Sequence, residues 1–234
     1  MKLSCIIPAY NEAPRIGKVL DAVCGHALVD EIIVVDDRST DNTVEVAQRS
    51  GVKVISLERN SGKSNAVAAG ILAASGSHVL LLDADLIGLT ASDITALAEP
   101  ICSGLADVSL SLRGNSPLPW QVIGLDYISG ERIFRRDQVM KYLDEIGTLP
   151  RFGLEVWLNH LWLADHSRIK VVRWPDVMSP YKAKKMGWLQ GGMADIQMLR
   201  DIFNTVPLHK ASMQIVRMWL RQNKVKASSP PNRD

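Results

Sequence analysis

The sequence predicts an α/β protein built on a mostly parallel, Rossmann-like sheet flanked by helices, and two observations support this prediction. Four short runs rich in Val, Ile and Leu follow one another within the first 82 residues, without the alternating polar positions of a half-exposed strand. Such runs are typical of strands buried on both faces, as in a parallel sheet. Segments with the apolar spacing of helices lie between the runs, so strands and helices alternate as in a doubly wound domain.

Each element follows from its own pattern. The predicted strands are 3–7, which stops at Pro8, then 31–35, 52–57 and 79–82. Helices are predicted over 14–23, 40–49 and 64–74, and a Ser-Thr-Asp cluster at 39–41 caps the second. Further along, 151–165 carries a helical stripe and 169–174 a strand pattern. We therefore expect one domain over 1–225, with halves 1–112 and 113–225, and a disordered tail over 226–234.

Composition and charge exclude several classes of protein. The chain has 234 residues, of which 47% are hydrophobic and 22% charged, so a buried core is expected and general disorder is not. Lys and Arg total 27 against 25 Asp and Glu, a net charge of +2 that does not support nucleic-acid binding through bulk charge. Cys5, Cys24 and Cys102 are few and odd in number, which indicates reduced thiols in the cytoplasm. No apolar run approaches the ~18 residues of a membrane span, so we expect a protein that is soluble or that contacts a membrane only peripherally, at the inner membrane face.

Polar residues stand where each of the first four predicted strands ends. The four groups are Pro8-Ala9-Tyr10-Asn11-Glu12, Asp36-Asp37, Asn60-Ser61-Gly62-Lys63 and Asp83-Ala84-Asp85. Any one group has an ordinary explanation as a helix cap or a solvated loop. In open α/β sheets, however, ligands bind at the carboxyl ends of the strands. Because all four groups fall at that edge, we interpret them together as a binding site.

Asp83 and Asp85 are the most specific chemical signal. Two carboxylates one residue apart, directly after a buried strand, can share a hard cation such as Mg²⁺ or Mn²⁺, which often binds one or two carboxylates together with substrate phosphates. Lys63, at the start of the predicted helix 64–74, suits contact with an anion. The chain lacks a Walker A loop and also lacks G-x-G-x-x-G after the first strand, which disfavours a P-loop or dinucleotide-binding enzyme.

Four segments, CIIPAYNE, VVDDRSTDNT, NSGKSNAVAAGI and LLLDADL, resemble in order and spacing the nucleotide-binding half of the family 2 glycosyltransferases with the GT-A fold. The resemblance covers residues 3–88, and it continues more loosely through ISGERIFRRD at 128–137 and FGLEVWLNHL at 152–161. It implies an inverting, metal-dependent transfer from a nucleotide-diphosphate sugar, with 1–112 as the donor half and 113–225 as the acceptor half. The alternative is a nucleotide-sugar-binding protein without turnover.

The resemblance also implies site residues. The donor would contact Pro8, Ala9, Tyr10, Asn11, Glu12, Asp36 or Asp37, Lys63 and Asp83. Asp83 and Asp85 would hold Mn²⁺ or Mg²⁺, with Asp85 as the principal ligand. Arg38 occupies a position where the family usually has glycine, which leaves the contact with the donor base open.

The acceptor half is less specific. By resemblance, Arg135 and Arg136 would pack beside the donor sugar, although a solvated strand and turn would also explain them. Glu155 is the candidate catalytic base and Asp165 the second candidate, whereas an acceptor that is itself a phosphate would need no base. The acceptor could therefore be a sugar, a glycan or a lipid phosphate.

Two basic features remain in the C-terminal part. Lys182 and Lys185 lie either in a loop that closes over a phosphate or in a surface charge run. The last predicted helix places Val216 and Trp219 on one side and basic residues on the other, so it either lies on an anionic membrane or packs on its own domain. The sequence does not indicate the oligomeric state.

Overall fold

The computed structural model describes residues 1–150, 153–180 and 208–228, with the side chains of the last helix described over 209–222. In this part of the chain, the strands are β1 Leu3–Ala9, β2 Glu31–Asp36, β3 Lys53–Ser56, β4 His78–Leu81, β5 Val108–Arg113, β6 Arg132–Arg135 and β7 Ile169–Trp174. The helices are α1 Ile16–Val23, α2 Thr43–Arg49, α3 Lys63–Ala73, α4 Ala91–Cys102, α5 Leu118–Ile123, α6 Asp137–Met140, α7 Leu143–Gly147, α8 Gly153–Ala164 and α9 Leu208–Ser228.

The seven described strands form one sheet in the order β3-β2-β1-β4-β6-β5-β7. The strands β1 to β4 are parallel, as are β5 and β7, whereas β6 is antiparallel to both of its neighbours, β4 and β5. Helices α1, α2 and α3 form the connections between successive parallel strands, as expected for crossover units. The predicted α/β class with a mostly parallel sheet is confirmed.

One predicted strand end is wrong: β1 does not stop at Pro8 but continues to Ala9. The ladder between β1 and β4 ends at Ile6, and beyond it β1 pairs with β2 alone. The carbonyl of Ala9 faces β2, where it accepts from the N–H of Asp37. The backbone nitrogen of Pro8 therefore faces the opposite, unpaired side, where its missing N–H costs no ladder hydrogen bond.

Apolar side chains fill both faces of the sheet. On one face, Ile6 and Val35 pack with residues of α3, α8 and α9, and on the other, Leu3 and Ile7 pack with α1, α2 and α4. Helix α3 lies so close to β1 that a Cβ at Gly70 would stand 2.4 Å from Ile6 Cγ2. This packing fixes the start of α3, and with it Lys63, at the carboxyl edge of the sheet.

The sheet takes strands from both predicted halves of the chain, and the division at residue 112 stays a prediction. Helix α9 ends at Ser228, so most of the predicted tail, 229–234, lies outside the described residues. Among the helices that the structure describes, none combines the length and the apolar character needed to cross a bilayer.

Candidate functional site

The carboxyl ends of β1, β2 and β4 open into a cleft of about 290 Å³. It is lined by Pro8, Ala9, Tyr10, Glu12, Asp37, Lys63, Ala66, Asp83, Ala84 and Asp85. The structure thus brings together residues from all four polar groups that the sequence places at strand ends. This follows from the parallel order of the strands, which sends each carboxyl end to the same edge.

The two aspartates at the end of β2 have different roles. Asp37 lines the cleft, and its carboxylate accepts from the backbone N–H groups of Ser61 at 2.7 Å and Gly62 at 2.8 Å. It therefore fixes the loop that leads into α3. Asp36 is buried, does not line the cleft, and accepts from the backbone N–H of Ser39 at 3.1 Å. Of these two candidates, only Asp37 lines the cleft.

Asn11 and Arg38 lie in loops beside the cleft and contact neighbouring backbone, but they do not line the cleft. Asn11 has a φ of 55° and accepts from the backbone N–H of Thr40 at 2.8 Å, which ties the loop after β1 to the loop after β2. Arg38 has a φ of 65°, a conformation that favours glycine. Its guanidinium donates to the carbonyl of Glu58 at 2.7 Å. The arginine that replaces the family's usual glycine thus directs its charge away from the cleft lining.

Lys63, the first residue of α3, links the two halves of the site. Its Nζ lies 2.7 Å from Asp83 Oδ1 and 3.0 Å from Glu155 Oε1, and about 40% of its side chain remains exposed. Burial lowers the pKa of the Lys63 amine, but the two carboxylates outweigh burial and raise that pKa above its usual value. Lys63 is therefore a fixed cation at the edge of the cleft.

Arg113, the last residue of β5, is a second cation that the sequence analysis missed. Its guanidinium lies 3.0 Å from Glu131 Oε1, 3.6 Å from Asp126 Oδ2 and 4.0 Å from Asp83 Oδ2. Glu131 and Asp126 are fully buried, and Ser111 donates to Glu131 Oε2 at 2.6 Å. The only signal in the sequence is that Glu131 falls in the segment ISGERIFRRD.

Asp83 is held from three sides. Burial raises the pKa of its carboxyl, but Lys63 and Arg113 outweigh burial, so that this pKa lies below its usual value. A Cβ at Gly130 would stand 2.5 Å from Asp83 Oδ2. The loop before β6 therefore backs directly onto the carboxylate, and only glycine leaves room for it. Asp83 is an ionised group in a fixed position.

Asp85 has a different environment. No ion pair or side-chain hydrogen bond engages its carboxylate among the described residues. Burial and the negative charges of Asp83 and Glu12 raise the pKa of Asp85 to about 6. A divalent cation would relieve this repulsion, and the carboxylate oxygens are donors that Mg²⁺ and Mn²⁺ prefer. No third acidic, histidine or cysteine ligand joins the pair in the part of the chain that the structure describes, so the pair fits a metal that takes its other ligands from phosphate or water.

The two candidate bases lie at opposite ends of α8. Glu155 is in the first turn, is 5% exposed, and contacts Lys63. Asp165 follows the last turn and is exposed, ten residues away, which is about 15 Å along the helix axis. Glu155 therefore belongs to the site, and the structure does not bring Asp165 to it.

Arg135 and Arg136 also lie away from the cleft, which corrects the prediction from the resemblance. Because β6 is antiparallel to β4, Arg135 pairs in register with His78 at the amino end of β4, and its guanidinium contacts Asp137. Arg136 donates to the carbonyl of Ile71 at 2.8 Å, in the last turn of α3. The arginine of this segment on the site side is Arg132 at the start of β6, which is almost fully buried. Lys182 and Lys185 lie outside the described residues.

The fold and the cleft define an α/β protein with a polar site at a strand edge, and comparisons with known proteins identify its family. The model of glycosyl transferase family 2 matches residues 4–149, and the chain belongs to this family. The sequence resemblance is thereby confirmed.

Part of the chain is similar in sequence to two named glycosyl-transferring enzymes. The chain is 37% identical to human dolichyl-phosphate beta-glucosyltransferase over 100 residues, which are 36% of this chain and 31% of the relative. It is 35% identical over 111 residues to glucosyl-3-phosphoglycerate synthase of Mycobacterium tuberculosis, covering 44% of this chain and 34% of the relative. The matches thus span about a third of the length of these curated relatives.

A solved structure supports the fold over a longer stretch. The structure of glucosyl-3-phosphoglycerate synthase from M. tuberculosis with Mn²⁺, uridine diphosphate and glucosyl-3-phosphoglycerate matches with a TM-score of 0.66 and 23% identity. The match covers 87% of this chain and 79% of that chain. The GT-A-type fold predicted from the sequence is therefore confirmed.

Proposed function

We propose that the protein is an inverting, divalent-metal-dependent glycosyltransferase that uses a nucleotide-diphosphate sugar as donor. The observation that carries this proposal is the acidic pair Asp83 and Asp85 beside Lys63 in the cleft at the carboxyl edge of the sheet. Membership of the family and the Mn²⁺ and uridine diphosphate bound to the mycobacterial synthase support it. Asp85, assisted by Asp83, would hold Mn²⁺ or Mg²⁺. The ion would neutralise the negative charge of the leaving diphosphate.

The chain's own groups would orient the donor. Lys63 is partly exposed at the cleft, and its charge suits a donor phosphate or ribose oxygen. Asp37 fixes the loop beside it, and Pro8, Ala9 and Tyr10 offer an apolar surface on which the nucleoside would rest. Glu12 lies at the same edge and adds negative charge near Asp85. These assignments concern binding and orientation and remain proposals.

Glu155 is the proposed base for an acceptor hydroxyl. Its carboxylate lies 3.0 Å from Lys63 Nζ, at the edge of the cleft. A phosphate acceptor is already anionic, and in that case Glu155 would act only by positioning Lys63. The substitution Glu155→Gln separates the two cases. With a hydroxyl acceptor we expect kcat to fall by about 10²–10⁴-fold, and with a phosphate acceptor by much less.

The acceptor we favour carries a phosphate group, as a lipid phosphate or a small metabolite. The support is the names of the two relatives, dolichyl-phosphate beta-glucosyltransferase and glucosyl-3-phosphoglycerate synthase. A sugar or glycan without phosphate is the alternative. Action in the cytoplasm and closure of a lid by Lys182 and Lys185 stay predictions of the sequence.

The test is a transfer assay on the full chain. Uridine- and guanosine-diphosphate sugars are each combined with a polyprenyl phosphate, 3-phosphoglycerate or an oligosaccharide, with Mn²⁺ or with chelator. Mass spectrometry detects the product, and NMR of the anomeric carbon shows inversion. We expect turnover that needs the metal and is lost in Asp85→Asn but kept in the control Asp21→Asn, an exposed position on α1. Donor binding without turnover on every acceptor would instead support the nucleotide-sugar-binding protein.

A further inference from the structure

Helix α9 has an inner face that packs on the domain. Ala211 and Met218 are fully buried, Ile215 is partly buried, and all three join the core cluster that includes α8. Tyr127 donates from its hydroxyl to Gln214 Oε1 at 2.7 Å, which fixes the rotation of the helix. The helix therefore packs on the domain through one face. Because its rotation is fixed, the residues on the opposite, solvent-facing side are fixed as well.

The outer face of α9 carries large apolar side chains, and the exposed His209 and Ser212 lie among them. Four large apolar side chains are 42% to 55% exposed: Met213, Val216, Trp219 and Leu220. At 100° per residue they occupy an arc of about 120°, next to each other on the solvent side. If the helix packed on its own domain through the side that carries Val216 and Trp219, these two residues would be buried, but the structure turns both outward. An ordinary packed helix would place such residues inward, so this face needs another explanation.

Basic groups border the apolar arc. Lys210 and Arg217 are exposed on one side of it, and the segment 208–228 contains no Asp or Glu. A cleft of about 460 Å³ lies between the end of α8 and α9, lined by Leu163, His166, Arg217, Leu220 and Arg221. Arg221 donates to the carbonyls of Leu163 and Ser167 at 3.2 Å each, so its guanidinium is fixed beside this cleft. Apolar and cationic groups thus meet along one surface.

We propose that this surface of α9, formed by Lys210, Met213, Val216, Arg217, Trp219 and Leu220, binds an anionic membrane surface. The apolar side chains would enter the boundary between headgroups and acyl chains, and Lys210 and Arg217 would contact lipid phosphates. Charge complementarity favours this occupant, because a basic border without acidic residues matches an anionic lipid layer. The proposal concerns a surface distinct from the donor cleft and does not depend on transfer activity.

The test is co-sedimentation of the full chain with lipid vesicles, without donor or metal. Vesicles of phosphatidylcholine with about 30% phosphatidylglycerol are compared with pure phosphatidylcholine. We expect binding to the anionic vesicles only, and weakening in about 0.5 M salt. Lys210→Gln with Arg217→Gln should reduce the partition coefficient about 30-fold, since each basic group near such a surface contributes about fivefold.

A second variant and two controls complete the design. Val216→Ser with Leu220→Ser should also lose binding, because it removes apolar area from the outer face without touching the inner one. Arg49→Gln on α2 and Leu72→Ser on α3 change exposed residues elsewhere and should bind like the parent chain. Unchanged circular dichroism confirms that each variant is folded.

Two results would overturn the proposal. One is a lack of specific binding, seen either as no binding to anionic vesicles or as equal binding by the α9 variants and the controls. The other is a dimer in sedimentation velocity that the Val216→Ser and Leu220→Ser changes dissolve, which would assign the face to a second copy of the chain. Because the assay contains no donor, neither result bears on the proposed glycosyl transfer.

Discussion

Replacing Arg113 with methionine removes the cation that two fully buried carboxylates share. The Arg113 guanidinium lies 3.0 Å from Glu131 Oε1 and 3.6 Å from Asp126 Oδ2, and both acidic residues are 0% exposed. Methionine has a similar length and fills similar space, so the change deletes charge and hydrogen bonds more than volume. Two anions would then remain in the protein interior without their main partner.

The expected loss of stability follows from that burial. Breaking a buried ion pair by removing one partner costs about 3–5 kcal/mol, because the remaining charge is left uncompensated. We therefore expect Arg113→Met to lower the free energy of unfolding by about that amount. Arg135→Met is the matched control, since its pair with Asp137 is 56% and 63% exposed and an exposed pair contributes about 0–1 kcal/mol.

Urea denaturation at neutral pH measures both effects, and a double variant tests their cause. Glu131→Gln removes one buried charge while keeping an oxygen that can accept from Ser111, so in combination with Arg113→Met it should restore part of the lost stability. We expect the double change to cost less than the sum of the single changes by about 1–3 kcal/mol. Additive effects, or a loss below about 1 kcal/mol for Arg113→Met, would refute the assignment of Arg113 as the partner of buried charge.

Three further predictions concern the cleft. Gly130→Ala would place a Cβ 2.5 Å from Asp83 Oδ2. We expect it to weaken the Mn²⁺-dependent binding of the donor's nucleoside diphosphate about tenfold or more in calorimetry, and unchanged affinity would contradict the close approach. The pKa of Asp85 is raised to about 6, and a cation binds only the ionised carboxylate. Mn²⁺ affinity should therefore be full above about pH 6 and fall about tenfold per pH unit below it. A Mn²⁺ affinity that does not change with pH would contradict the role of Asp85. Lys63→Met removes the cation between Asp83 and Glu155 and should weaken binding of the donor's nucleoside diphosphate by about 10–100-fold, the value of one charge-assisted hydrogen bond. Lys63→Arg keeps the charge and is the control, so an effect of Lys63→Met no larger than that of Lys63→Arg would contradict donor contact.

The sequence predicts the N-terminal part of the site well because the signals there are local. Each parallel strand is a buried apolar run, and the residue that follows it necessarily reaches the carboxyl edge. Asp37, Lys63, Asp83 and Asp85 therefore meet in the cleft as expected. Asp36 shows the limit of this reasoning, since neighbouring residues point to opposite sides and the pattern does not tell which one faces the ligand.

The C-terminal part of the site depends on pairings between distant segments, which local patterns do not reveal. Arg135 and Arg136 lie at the edge of the sheet opposite the cleft because β6 runs antiparallel to β4. The direction of a strand cannot be predicted from its four residues. Arg113 and Glu131 meet only through the pairing of β5 with β6. Buried ion pairs of this kind resemble surface charge in the sequence, so structure is needed to recognise them.

The most direct test of the proposed function is calorimetric titration of uridine diphosphate and, separately, guanosine diphosphate into the parent chain and Asp85→Asn, each with Mn²⁺ and with chelator. We predict that Mn²⁺ tightens binding of one of the two nucleotides to the parent chain and that Asp85→Asn loses about tenfold or more of this metal-dependent affinity, while its metal-free binding is not weakened. If Asp85→Asn kept the full effect of Mn²⁺, the acidic pair would not be the metal site and the proposed mechanism would be wrong.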